Sequence, residues 1–207
     1  ISEEDKTFLL QRLRDQIGQR VYTIHRLDRP TSGVILFALS SGAARRMCTL
    51  FENREVDKTY LAIVRGYTDE TGHIDYPLQE EPHKPFQEAI TDYRTLATVE
   101  LPIPVGRYNT ARYSLVEIQP MPGRSRQIRK HFHHIFHPLI GDTSHGEGRH
   151  NRLFREHFDV NRMLLHAWKL RFRHPESGEF LTIRAPLPVE FERLFGEFGW
   201  QEALPGF

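Results

Sequence analysis

"HRLDRPTSG" (residues 25–33) runs directly into the apolar segment "VILFAL" (34–39). One carboxylate, Asp28, stands between two guanidinium groups, Arg26 and Arg29, with His25 just before them. Pro30-Thr31-Ser32-Gly33 reads as a turn, and residues 34–39 read as a short buried strand closed by Ser40-Ser41. Two readings of Asp28 stand side by side. Set among cations at the edge of a cleft, it is an anionic nucleophile, base or electrostatic group at neutral pH. As a turn aspartate, it serves only the local backbone, and the flanking arginines are solvated.

Outward from this stretch, the serines can cap a helix from about Gly42 to Asn53, with Met47, Leu50, Phe51 and Arg54 at helical spacing. Residues 6–17 read as a short helix. "TYLAIVRGY" (59–67) predicts a strand, residues 68–88 predict no element, and 91–101 and 111–120 predict two more strands. Pro102, Pro104, Gly106 and Asn109 mark the loop between these last two. Residues 125–136 predict a helix whose apolar stripe is Ile128, Phe132, Ile135 and Phe136. Its opposite side carries Arg126, Lys130, His133 and His134, and Arg129 falls at the rim. Trp168, Leu170 and Phe172 alternate with Lys169, Arg171 and Arg173, then Glu176-Ser177-Gly178 turns the chain into 180–184, a hairpin. A final helix opens after Pro188 with Phe191, Leu194, Phe195 and Phe198 on one face. The expected class is α+β, a largely antiparallel mixed sheet flanked by helices, in a single domain spanning residues 1–207.

The net charge of +1 hides a segregation. Residues 69–92 hold seven acids against Lys84 alone, whereas 107–134 hold five arginines and Lys130 against Glu117. Residues 149–173 add six arginines and Lys169 against Glu156 and Asp159. A polyanion would meet the two basic regions; the plainer reading is two oppositely charged faces of an ordinary enzyme. No apolar run approaches the ~20 residues of a membrane span, and the charged, amphipathic start is unlike a signal peptide. The lone Cys48 allows no internal disulfide and points to a reducing, cytoplasmic setting.

Other chemistry is sparse. His133 and His137 are i, i+4 and could chelate a metal, but neither HExxH nor HxHxDH is present, and Asp142 lies beyond Pro138. The plainer reading is a solvated, cationic helix face. No Gly-rich phosphate loop, dinucleotide fingerprint or GxSxG elbow occurs. Tyr60, two residues after Lys58, would by itself be a half-buried strand aromatic.

Four segments in order resemble the RluA-type pseudouridine synthases. "HRLDRPTSG" is similar to their H-R-L-D-x-x-T-S-G motif, and "DKTYLAIVRG" (57–66) to their K-x-Y strand. "GRSRQIRKH" with "HPLIGD" (123–131, 137–142) is similar to their G-R-x-x-Q-[IL]-R-x-H and HP-I-x-G-D segments. "LLHAWKLRFRHP" (164–175) matches their closing strand. "HGEGRHNRLFREHF" (145–158) resembles the branch that modifies uridine 65 in the T stem of tRNA. The resemblance implies a pseudouridine synthase fold and conversion of uridine to its C-glycoside isomer, with no cofactor or metal and with tRNA as partner. Asp28 is implied to be the nucleophile. Arg129 is implied to pair with it, Tyr60 to stack on the uracil and supply a late base, Ile128 to pack against the ring, and Arg26 to fill the space left by the flipped nucleotide. Arg126, Lys130, His133 and His134 would then hold phosphates.

The family's earlier K-P-S/A-G strand is not in this sequence, which also lacks an initiator Met, so a missing N-terminal segment is expected. Ser125-Arg126 stands where many relatives have Thr-His or Lys-His. The rival readings are an enzyme of the same family acting on ribosomal RNA, a non-catalytic RNA-binding module and a metal hydrolase.

Overall fold

The continuous apolar run of residues 59–64 belongs to a strand covered on both faces. In the computed structural model, which describes residues 9–204, strand β4 (Val56–Arg65) points Leu61 and Ile63 into one core and Ala62 and Val64 into another. Side chains alternate across a strand, so a strand buried on both faces is apolar at every position.

Helix α1 (Leu9–Ile17) opens the described chain; residues 6–8 of its predicted span lie outside the described residues. The short strands β1 (Tyr22–Thr23), β2 (Ser32–Gly33) and β3 (Phe37–Ala38) precede α2 (Ser41–Glu52), where the Ser40 hydroxyl accepts the Ala43 N–H at 3.1 Å. After β4 come β5 (Thr71–Asp75), β6 (Ile90–Leu101), β7 (Ala111–Met121), α3 (Gln127–His134), α4 (Gly148–Phe158), β8 (Leu165–Arg173), β9 (Phe180–Arg184) and α5 (Val189–Phe198). The main sheet runs β2-β8-β4-β7-β6-β5, and β9 shares the outer edge of β8 with β2. Every pairing is antiparallel except β2 with β8. α4 and α5 cover one face through Leu153, Phe154, Phe191 and Leu194, and α3 covers the other through Ile128 and Phe132. No helix among the described residues is long and apolar enough to cross a membrane.

Three local expectations need correction, and one helix lies where no element is predicted. Residues 34–39 are not one buried strand. Val34 leaves the edge of β8 and Phe37–Ala38 turn back to pair with β1, while Leu39 is exposed. The run is apolar because Val34 and Leu36 pack with Met47, Val56, Leu170 and Phe172. β5 lies inside the stretch for which no element is predicted; only Ile74 of its five residues is buried, so no alternation marks it. α4 is a further helix within a segment first recognised only by its resemblance. The α3 stripe ends before Phe136. Phe136 adopts φ +63° and is 78 % exposed. His137 donates its backbone N–H to the Phe132 carbonyl, and Phe136 to that of His133, which is the Schellman termination with phenylalanine where glycine is usual.

Gly33 (φ +118°) passes so close to β8 that a Cβ there would lie 2.1 Å from the Ala167 carbonyl oxygen. Gly33→Ala is therefore expected to destabilise by at least about 2 kcal/mol. Phe136→Gly, relieving a left-handed non-glycine residue, should stabilise by about 1 kcal/mol. Urea unfolding midpoints of the two variants, moving in opposite directions, check both.

Candidate active site

Asp28 sits in the loop between β1 and β2, and its carbonyl accepts the Thr31 N–H at 2.8 Å. The turn reading thus holds for the backbone, while the side chain, 21 % exposed, faces Arg129. His25, Ser32 and Gly33 of the motif anchor this loop. His25 Nε2 accepts the Leu36 N–H at 3.0 Å, and its ring stacks on Phe51 of α2 at 4.8 Å. Burial, helped by Lys58, lowers the His25 pKa to about 4, which keeps the imidazole neutral and able to accept. Ser32 Oγ meets His166 Nδ1 at 2.9 Å, and Gly33 and Val34 press onto Ala167. The T-S-G and L-H-A motifs are the two sides of one contact.

Arg129, in the first turn of α3, holds Asp28 at 3.4 Å through Nη1. Its stronger partner is Asp142, bound through Nε at 2.7 Å and Nη2 at 2.8 Å. Arg129 and Asp142 are both buried. Asp142 arrives through "HPLIGD": Leu139 bridges Val64, Ile140 donates to the Ile63 carbonyl, and Gly141 (φ +79°) leaves no room for a Cβ, which would lie 2.0 Å from the Arg162 oxygen. The Ser144 and His145 N–H groups also bond Asp142 Oδ1. Burial acts to raise the Asp142 pKa, but Arg129 and these two N–H groups outweigh it and hold the carboxyl below its ordinary value. The sequence reading weighed Asp142 only as a metal carboxylate. Its 13-residue separation from Arg129 offers no periodic signal; its place in the matched motif is the one clue.

The pocket beside Asp28 is lined by Arg26, Leu27, Tyr60, Ile128, Arg126 and Arg129, so five of the residues expected at the site converge there with Asp28. Gln127, not anticipated, braces the floor. Its Oε1 accepts the Gly123 and Arg124 N–H groups, and its Nε2 donates to the Ile90 and Met121 carbonyls and to Thr91. Burial, and then the charge of Asp28, raises the Tyr60 pKa to about 12. The phenol is protonated at neutral pH. It is suited to stacking and donation, and it must pass on its own proton before accepting another.

The four residues expected at phosphates divide. Arg126 lines the pocket from its position before α3. Lys130 donates to the Gln79 carbonyl at 2.8 Å, His133 Nδ1 to that of His145, and the His134 ring stacks on Tyr76 at 3.8 Å. These three brace neighbouring loops. The His133–His137 chelate is not formed: α3 ends before His137, whose Nδ1 donates to the Arg65 carbonyl.

The family profile described as RNA pseudouridylate synthase matches residues 1–134. The chain is 51 % identical over 214 residues to tRNA pseudouridine synthase C of Vibrio cholerae, covering 99 % of this chain and 88 % of that protein. It is 48 % identical to the protein of the same name from Haemophilus influenzae, covering 97 % and 88 %. Among solved structures, human RNA pseudouridylate synthase domain containing 1 superposes with a TM-score of 0.69 at 28 % identity, covering 87 % of this chain and 74 % of that one. Human RNA pseudouridylate synthase domain containing 4, at 22 % identity and TM-score 0.70 over 92 % and 80 %, shares the fold.

Asp142→Asn should cost about 3 kcal/mol, because it leaves the buried Arg129 without its main counter-charge. The pH dependence has a definite sign. A carboxyl whose pKa is lower in the folded chain stabilises fully above the unfolded value, about 3.9, and loses that contribution as pH falls through the folded value. Part of the wild-type acid-unfolding limb below about pH 4 should therefore be missing in Asp142→Asn, as measured by denaturation at stepped pH.

Proposed function

The chain belongs to the RNA pseudouridylate synthase family, and on that premise we propose that it isomerises a uridine of tRNA to pseudouridine, with Asp28 as the reacting carboxylate. The observation that carries the role of Asp28 is its setting, at the mouth of a pocket and opposite the buried Arg129 cation that Asp142 holds in place. The relatives' names support tRNA as the substrate. The resemblance of residues 145–158 supports uridine 65 as the target. A cytoplasmic location belongs to the same proposal and is supported by the lone cysteine and by the substrate.

The reaction breaks the bond from N1 to C1′, turns the uracil, and forms a bond from C5 to C1′; the proton leaves C5 and N1 gains one. Asp28 either attacks C1′ or stabilises the sugar as the uracilate departs. Tyr60 and Ile128 take the two faces of the ring, and Arg129 keeps the carboxylate aimed at the sugar. The nucleotide must leave its helix to reach this pocket, at a cost of a few kcal/mol. In this reading Arg26, exposed and lining the pocket, enters the vacated stack and offsets part of that cost.

Asp28→Asn should lower pseudouridine formation in tRNA by at least about 10³-fold, since the amide is no nucleophile. Its affinity for tRNA should stay within about threefold, because phosphate contacts dominate binding. Mapping of pseudouridine in treated tRNA together with a filter-binding titration checks both; substantial turnover by the variant would refute the role of Asp28.

A further inference from the structure

Away from the catalytic pocket, the loop 102–110 and the start of α4 line two open hollows of about 460 and 340 Å³ that meet at Val105 and Arg149. Arg65, Arg107 and Tyr108 line the first, and Arg152 and His157 the second. Among the described residues, none of Arg65, Arg107, Arg149 and Arg152 forms an ion pair. Arg26, Arg124, Arg126, Arg171 and Arg184 likewise form none, so what marks this face is the gathering of four guanidinium groups about one helix. Two carboxylates, Glu147 and Glu156, line the hollows against four guanidinium groups. Glu147 is already engaged, accepting the His150 N–H as the cap of α4.

Part of this cluster is positioned by its neighbours, Arg65 donating to the Phe136 carbonyl at 3.3 Å. Gly106 (φ +61°) gives the loop room to close on Arg149, whose Nη1 would lie 2.6 Å from a Cβ at that position. Arg107 donates to the Tyr108 hydroxyl at 2.9 Å and lies 5.1 Å from the centre of its ring, which is 60 % exposed. On α4, Arg149 and Arg152 are exposed and three residues apart, about 5–6 Å between Cβ atoms. The inner side of the same helix grips the catalytic loop. Asn151 accepts the Gly141 N–H and donates to the Asp142 carbonyl, both at 2.8 Å. The backbone that delivers Asp142 and the basic face thus lie on different sides of one helix.

We propose that this face is a second RNA-backbone site, taking phosphates of the same tRNA several nucleotides from the uridine in the pocket. The proposal rests on the tRNA reading above. Extracting one base from a stem requires the flanking stem to be held in register, and phosphate contacts supply register without reading sequence. Arginines free of carboxylate partners beside an exposed tyrosine are donors of the kind that meet the phosphates of a paired stem. Joined to α4, the site makes the RNA bridge the helix that carries the Asp142 loop.

The test compares wild type, R149A/R152A and R149K/R152K for binding to a tRNA transcript across 50–300 mM salt, with pseudouridine formation by wild type measured in parallel. The expected result for R149A/R152A is an affinity about tenfold lower at low salt and a log–log salt slope shallower by about 1.5, the loss of two phosphate contacts. R149K/R152K, which keeps both charges, should retain the wild-type slope. Unchanged affinity and slope in R149A/R152A overturn the proposal while pseudouridine formation by wild type leaves the tRNA reading intact. If wild type binds tRNA without isomerising it and R149A/R152A loses binding, the second site stands and the functional reading falls. No tRNA binding by wild type overturns both.

Discussion

Arg129 is a cation with almost no access to water, and the catalytic end of the molecule is organised around satisfying it. Moving a guanidinium out of water costs several kcal/mol unless a fixed anion and good hydrogen-bond geometry compensate. Asp142 provides both, in a two-point contact that a lysine could not reproduce. One remaining guanidinium nitrogen reaches Asp28 at the longer distance of 3.4 Å. The division matters for chemistry. The tight contact is with the carboxylate at 1 % exposure, and the loose one with the carboxylate at 21 %, so the pocket-facing Asp28 is oriented without having its oxygens fully occupied.

Both carboxylates are delivered against one stretch of chain. Gly33 presses on Ala167 and Gly141 on Arg162–Met163, so residues 162–167 set the separation between Asp28 and Asp142. Ala167 also faces Tyr60 across β4, which puts the pocket's aromatic wall in the same register. The glycines matter here because backbone meets backbone at distances that no side chain tolerates. Gln127 completes the frame by tying α3 to β6 and to the end of β7.

Elements with a strong local pattern were legible: β4, β6, β7, the β8–β9 hairpin, α2, α3 and α5. The continuous apolar run of β4, the alternation of the other strands and the 3.6-residue stripe of the helices follow from which faces are buried, and that pattern is written in neighbouring residues. Legibility failed where burial was brief or set by packing against distant elements. β5 buries a single residue, the 34–39 run owes its apolarity to packing beneath α2, and α3 stops where Phe136 turns left-handed so that Pro138 can reach the edge of β4. Among the site residues, Asp28, Arg26, Tyr60, Ile128 and Arg129 were legible through their motifs and do share a pocket. Lys130, His133 and His134, expected at phosphates, each also contact a neighbouring loop.

The sequence by itself determined the family, the expected fold class, most of the strands and helices, and the segregation of acidic from basic regions. These depend on residue order, local periodicity and composition. The tertiary structure decided which carboxylate Arg129 holds tightly, that His25 is a neutral acceptor, that burial and Asp28 raise the Tyr60 pKa further, and that four unpaired arginines gather about α4. Each of these depends on groups brought together across long separations, 101 residues between Asp28 and Arg129. Burial and charge at such meetings are properties of the packed chain, and no repeat along the sequence encodes them.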